Sequence, residues 1–273
     1  MRSVTSFSHQ GIQAFRFGYH PFKKPTLQVY VYFIDGLLID TGQVKMREAV
    51  LNKTRNLPIT QIFVTHHHED HSGNAEALEK ILGCPVYGSR LCRETMLNPP
   101  EISLPQKLFW GDRPAFTGII PVEKELKTKK YSFQLIPIPG HAHDMVALFE
   151  PEQKWLFSAD LYLSSRISYF LYSENIQQQI ESISKVLQLD FDALFCAHRP
   201  VLKNGKEQLK RKLDYLEEFV DIVLRLHQEG KSIRGIMRGL PVKETWLVRL
   251  LSSGDLSLRN MALSVLRDFE QKT

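Results

Sequence analysis

Thr65-His66-His67-His68-Glu69-Asp70-His71-Ser72-Gly73-Asn74 follows the apolar run Ile62-Phe63-Val64 and precedes the amphipathic run Ala75-Glu76-Ala77-Leu78-Glu79-Lys80-Ile81-Leu82. That order reads as a strand, a short loop and then a helix. Where strand geometry persists, His66 and His68 project to one face and His67 to the other, because successive side chains alternate. Asp70 and His71 then sit on the turn into the helix and aim at a second point close to the first. Imidazole and carboxylate are the usual donors to a catalytic zinc, so four such side chains within six residues suit two adjacent cations. The bland alternative is a His-rich tract that merely sequesters metal, and the rest of the chain decides between the two.

The 273 residues suffice for one large domain or a domain with an appendage. With 43% hydrophobic and 24% charged residues, the composition is that of a soluble globular protein. No apolar run approaches the roughly 20 residues of a membrane span. The segment Met1–Gln10 lacks the hydrophobic core of a signal peptide. Cys84, Cys92 and Cys196 are few, odd in number and scattered, which points to reduced thiols in a cytoplasm. The formal charge of +5 is uneven: residues 203–273 hold 14 Lys+Arg against 10 Asp+Glu, so most of the excess lies there. That favours an anionic partner without establishing one.

Outward from the opening stretch, Leu27–Asp40 carries Asp35-Gly36 between β-rich runs, a hairpin signal. A helix is expected around 45–56 and a short strand at Pro85–Gly88. Residues 89–120, broken by Asn98-Pro99-Pro100, Pro105 and Pro114, read as a loop-like insert. Its Leu108, Phe109, Trp110 and Phe116 either pack on the body or line a substrate mouth; packing is the favoured reading, and the exposed apolar text permits a homodimer. Tyr131–Ile138 reads as a strand ending at Pro139-Gly140-His141. Met145–Glu150 and Lys154–Ser158 form a second hairpin ending at Ala159-Asp160. A helix near 174–188 leads to the strand Asp192–Ala197, which ends at His198. His66/His68, His141, Asp160 and His198 therefore each close a predicted strand, where loops gather and sites form. From Lys206 to Gln228, Leu209, Leu213, Leu216, Val220, Val223 and Leu226 recur at spacings of three and four, an amphipathic helix of about six turns. Three shorter helices are expected near 232–240, 243–253 and 257–270, with Leu247, Leu250, Leu251, Met261, Leu263 and Leu266 packing.

The ordered set His66-x-His68-x-Asp70-His71, Gly140-His141, Ala159-Asp160 and Ala197-His198 resembles the metallo-β-lactamase superfamily over about residues 25–203. The resemblance implies an α/β fold, a four-layer αββα sandwich of two sheets between helical layers. Residues 1–203 would be the catalytic domain and 204–273 a helical C-terminal extension. It also implies two divalent metal ions, zinc first with iron or manganese as alternatives. His66, His68 and His141 would hold one, Asp70, His71 and His198 the other, and Asp160 would bridge them. Two cations that share a hydroxide give a nucleophile at neutral pH, and Asp70 and Asp160 are then the catalytic carboxylates.

The layout is similar to the hydroxyacylglutathione hydrolase and endoribonuclease-like branches, which makes a cytoplasmic hydrolase of small esters or thioesters the leading expectation. A nuclease acting on single-stranded nucleic acid is second, and a mononuclear iron persulfide dioxygenase is the alternative of another class. Tyr162, Arg166 and Tyr169 follow Asp160 and are candidate substrate contacts; so is Arg199, which stands where relatives often carry glycine. Each has a packing or solvent-facing alternative. His143, two residues from a ligand, is either a proton carrier behind the metals or a surface residue. No metal is assigned to His67 or Glu69, and Glu69 suits a helix N-terminus.

Overall fold

A computed structural model describes residues 2–19, 27–244, 249–250, 252 and 254–270. Two sheets form the centre. The first runs, in spatial order, β1 (Arg2–His9), β2 (Ile12–Tyr19), β3 (Leu27–Ile34), β4 (Leu37–Ile39), β5 (Gln61–Val64), β6 (Val86–Gly88) and β7 (Ile119–Pro121). β1 to β4 are antiparallel, and β4 to β7 are parallel. The second sheet runs β12 (Ala193–Cys196), β11 (Trp155–Ala159), β10 (Val146–Glu150), β9 (Ser132–Pro137) and β8 (Glu125–Lys127). Only the β11–β12 pairing in it is parallel.

Side-chain alternation along these strands separates three cores, and three cores make four layers. On β3, Tyr32 and Ile34 face the space between the sheets while Val31 and Phe33 face outward. On β10, Val146 and Leu148 point inward and Ala147 and Phe149 outward. The inter-sheet core is aromatic: Phe157 stacks on Phe195 at 4.8 Å, and Tyr32 meets both edge-on at 5.5 Å. Such pairs add roughly 0.5–1.5 kcal/mol beyond the area they bury. Helices α1 (Arg47–Thr54), α3 (Ala75–Leu82) and α4 (Arg90–Leu97) cover the outer face of the first sheet through Val50, Leu78, Cys92 and Met96. Helices α6 (Ile176–Val186), α7 (Gly205–Gln228), α8 (Ile233–Gly239) and α9 (Leu258–Glu270) cover the second through Ile183, Leu209, Leu216, Val223, Ile236 and Met261. The αββα sandwich is therefore as expected.

The Asp35-Gly36 hairpin forms, with both residues at positive φ, 45° and 85°. The 89–120 segment is more ordered than its prolines imply. Ser89 caps α4 by accepting from Cys92 N, and α5 (Leu104–Phe109) follows, capped by Ser103. Phe116 packs in the core, whereas Leu104 is 81% and Leu108 60% exposed; the Phe109 side chain lies outside the described residues. The expected helix at 243–253 lies largely outside them too, as do Leu247 and Leu251; of its described residues 243–244 are not helical and 249–250 are, and Leu250, expected to pack, is exposed. Among the described residues no helix is long and apolar enough to cross a membrane.

Three bonds stitch the two sheets at one edge. Tyr30 N donates to Ala197 O at 2.6 Å, the Tyr32 hydroxyl to Cys196 O at 2.5 Å, and Val146 N to Thr65 O at 3.0 Å. The acceptors lie next to His198 and His66, so the edge that is stitched is the edge where the histidines gather.

Candidate metal centre

β5 ends at Val64, before the histidines, so strand alternation is not what separates them. The loop nevertheless sorts them as expected. His66 and His68 join His141, with donor atoms all within 4.8 Å, while His67 turns away onto Asp144, Nδ1 to Oδ1 2.7 Å. The turn α2 (Glu69–Ser72) then carries Asp70 and His71 toward His198, a second set within the same 4.8 Å. Asp160 stands between the sets. Its Oδ1 is 3.3 Å from His71 Nε2, and its Oδ2 is 3.2 Å from His141 Nε2 and 3.3 Å from His198 Nε2.

Four of the imidazoles are held from behind. Asp40 Oδ2 lies 2.8 Å from His71 Nδ1, Glu174 Oε2 3.1 Å from His141 Nδ1, and Gln28 O 2.6 Å from His198 Nδ1. These oxygens only accept, so the Nδ1 atoms carry the protons and the Nε2 lone pairs face the cluster. Thr65 Oγ1 donates to Asp40 Oδ1 and so accepts from His66 Nδ1 at 3.1 Å, which frees His66 Nε2. His68 is reversed and presents Nδ1, 3.0 Å from His141 Nε2.

The backbone is strained where these groups attach. Asp40 and Ala159, neither a glycine, hold φ of 63° and 46°, and a register irregularity in β11 precedes Asp160. Gly140, at φ 129°, leaves room for α6: a Cβ there would stand 2.5 Å from Gln179 N.

Electrostatics divide the histidines. Burial, with cationic His71 beside it, pushes His66 well below its usual range, and burial does the same to His68. Burial opposes a rise at His71, yet Asp160, Asp70 and Asp40 carry it well above normal. At His141 burial is likewise outweighed, by Glu174 and Asp160, which bring it to about 10. Asp160 is held well down against burial by His198 and His71. Protons and metal cations thus compete for the same lone pairs.

The donor set fits metal ions. His66 Nε2, His71 Nε2 and Asp160 Oδ1 are buried without a hydrogen-bond partner, although they converge. Orphaned buried polar atoms are costly in a native fold, and cations held by these donors would remove the cost.

A model of the metallo-beta-lactamase superfamily matches residues 25–198. The chain belongs to the metallo-β-lactamase superfamily. A hydroxyacylglutathione hydrolase of Hamiltonella defensa is 30% identical over 172 residues, covering 62% of this chain and 60% of its own length. The alignment with the Wigglesworthia glossinidia enzyme of that name, 26% identical, covers 58% of the relative. A beta-lactamase-like protein 2 homolog of Caenorhabditis elegans is 24% identical over 81% of this chain and 72% of its own. Among solved structures, a metallo-beta-lactamase family protein of Thermus thermophilus aligns over 96% of this chain and 94% of its own with a TM-score of 0.68 at 17% identity. A Pseudomonas aeruginosa metallo-beta-lactamase in its mono-zinc form covers 79% and 95%, at 0.60 and 19%.

The other candidate residues fall around this cluster. Tyr169 is partly exposed, and after burial the charges of Glu174 and Asp160 raise its pKa, which places it within their field. Tyr162 is 3% exposed in the core, its hydroxyl 3.2 Å from Ser165 Oγ. Arg166 is exposed and lines a groove of about 500 Å³ with Arg211, Asp214 and Tyr215 of α7. Arg199 is exposed, its backbone N on Cys196 Sγ. His143 is exposed and bonded to Thr95, and with His67 and Asp144 it forms a third cluster, whose contacts are satisfied among its own residues and neighbours. Glu69 is buried 3.6 Å from Arg113, and burial raises its pKa to about 7.

The sequence reading missed Asp40, Glu174 and Arg113. Asp40 had a signal, an acidic residue closing an apolar strand ahead of Thr41-Gly42. Glu174 and Arg113 had none, because each reaches the site only through the fold; Arg113 donates to His67 O at 3.1 Å.

Proposed function

We propose that this protein is a metal-dependent hydrolase of small ester or thioester substrates, with two divalent cations, zinc first among them. His66, His68 and His141 would hold one, Asp70, His71 and His198 would hold the other, and Asp160 would contribute to both. The two donor sets, His66 with His68 and His141 and Asp70 with His71 and His198, meeting at Asp160, whose oxygens lie 3.2–3.3 Å from His71, His141 and His198 Nε2, carry this reading. Bound cations would supply Lewis acidity and an activated water at neutral pH.

The chain's own groups do the rest. Asp40, Glu174, Gln28 O and Thr65 keep the Nδ1 protons on His71, His141, His198 and His66, which fixes ring orientation. Asp70 places Oδ2 3.5 Å from His198 Nε2 and Oδ1 3.7 Å from His71 Nε2. In that position it orients water and takes up a proton at a carboxylate oxygen. Trp110, with its ring 6.5 Å from that of His198, forms an apolar wall beside the centre. The hydroxyacylglutathione hydrolase relatives support a thioester substrate.

The test is hydrolysis of a glutathione thioester by zinc-loaded protein, beside chelator-treated protein and an Asp160→Ala variant. Turnover lost in both controls supports the reading. Zinc-loaded protein that leaves the thioester intact but cleaves single-stranded RNA replaces the substrate class with a phosphodiester.

A further inference from the structure

Lys212 interrupts an apolar face. It lies on α7 between Leu209, Leu213 and Leu216, which pack in the core under the second sheet, and it is itself only 1% exposed. A buried ammonium is costly unless its protons are used. Lys212 Nζ donates to Leu161 O at 2.7 Å, one residue beyond Asp160, and to Gln179 Oε1 at 3.1 Å. Gln179 Nε2 donates in turn to Glu174 Oε2 at 2.7 Å, the oxygen that faces His141 Nδ1 at 3.1 Å. The bonds converge on the carboxylate: the ammonium donates to the amide, the amide donates to Glu174, and the His141 N–H donates to the same oxygen from the other side.

We propose that Lys212 is a positioning residue of the metal centre, acting through Gln179 and Glu174 on the orientation and basicity of His141 and through Leu161 O on the end of the strand that carries Asp160. The inference rests on the metal-centre reading above. Glu174 Oε2 accepts from both Gln179 and His141, and Lys212 is the ammonium at the far end of that chain of bonds. The C-terminal helices thereby become part of the centre rather than a cover for the sheet. α9 adds to the clamp, since Ser264 Oγ donates to Glu174 O at 3.1 Å and Arg267 donates to the same oxygen at 3.3 Å.

The experiment measures zinc affinity by competition with a chromophoric chelator and records the cobalt(II) d–d absorption of the full chain. It compares wild type, Lys212→Met, Gln179→Met, the double variant, and Lys210→Met as an exposed control on the same helix. The expected result is a loss of about tenfold or more in affinity at the tighter site for Lys212→Met and Gln179→Met, the usual size for groups behind metal ligands. Their cobalt spectra shift, the double variant loses no more than either single one, and Lys210→Met matches wild type.

Folded Lys212→Met and Gln179→Met proteins that bind zinc within about twofold of wild type, with unchanged cobalt spectra, overturn the proposal. Losses that simply add in the double variant overturn it as well. Should Lys212→Met fail to fold, Gln179→Met, which keeps the ammonium, decides alone. A wild-type chain that binds no zinc overturns the metal-centre reading along with this one, a result distinct from variants that match a zinc-binding wild type.

Discussion

Asp160 Oδ1 lies 3.3 Å from His71 Nε2 while its Oδ2 lies 3.2 Å from His141 Nε2 and 3.3 Å from His198 Nε2, so one carboxylate meets both histidine sets. A carboxylate placed in this way can join two cations, and few other side chains offer two equivalent donors. Ala159, which precedes it, holds a left-handed φ of 46°.

Asp40 should matter nearly as much as a ligand, although it touches none of the open lone pairs. It accepts from His71 Nδ1 and from Thr65 Oγ1, and Thr65 in turn orients His66. Asp40→Ala is expected to lower zinc affinity by about 10–100-fold, read by chelator competition. An affinity equal to wild type would contradict the positioning role.

Gly140→Ala forces a Cβ against Gln179 N and asks a residue with a side chain to hold φ 129°. Because Gln179 begins the route from α6 to His141, the variant should lose both thermal stability and zinc affinity. Destabilisation with unchanged zinc binding would show that the two are not joined here.

Lys212 gives stability a pH dependence of known sign. Burial lowers its pKa to about 8 in the fold, against about 10.4 in the unfolded chain. The unfolded state therefore binds more protons between those values, and stability rises with pH across that window. The buried ammonium costs about 3 kcal/mol below pH 8, and the cost is relieved by pH 10.5. Denaturant unfolding of wild type and Lys212→Met at pH 7 and pH 10 should show the gap between them changing in that direction. A constant gap would contradict it.

All three cysteines are buried, and burial raises each thiol, Cys196 to about 12. Little thiolate is present at pH 8. A thiol reagent at that pH should label none rapidly in the native chain and all three after denaturation; fast native labelling of Cys196 would contradict its placement.

How much of this was legible in the sequence depends on whether neighbours in space were also neighbours in pattern. The αββα layering was legible only through the resemblance that the His/Asp set carries; in the fold it is the alternation of inward and outward side chains on β3, β10 and β11 that separates the layers. His66, His68, His141, Asp160 and His198 stood out as candidates because each falls at a predicted strand end, and Asp70 and His71 because they sit on the turn just beyond. The N-terminal hairpin β1–β2 was missed, although Gln10-Gly11 turns it. Ser89 and Ser103 capped two helices in text whose prolines looked irregular. Glu174, Gln179 and Lys212 could not have been found in the same way. They are 5 and 33 residues apart, and only the packing of α6 on α7 brings them together.

The most direct measurement is the zinc content of the purified chain and of its Asp160→Ala variant after dialysis against zinc-containing and then zinc-free buffer. About two zinc ions per wild-type chain, and clearly fewer in the variant, are expected if the two histidine sets are bridged by Asp160. A wild-type chain that retains no zinc, or a variant that retains as much as wild type, would contradict the bridged metal centre.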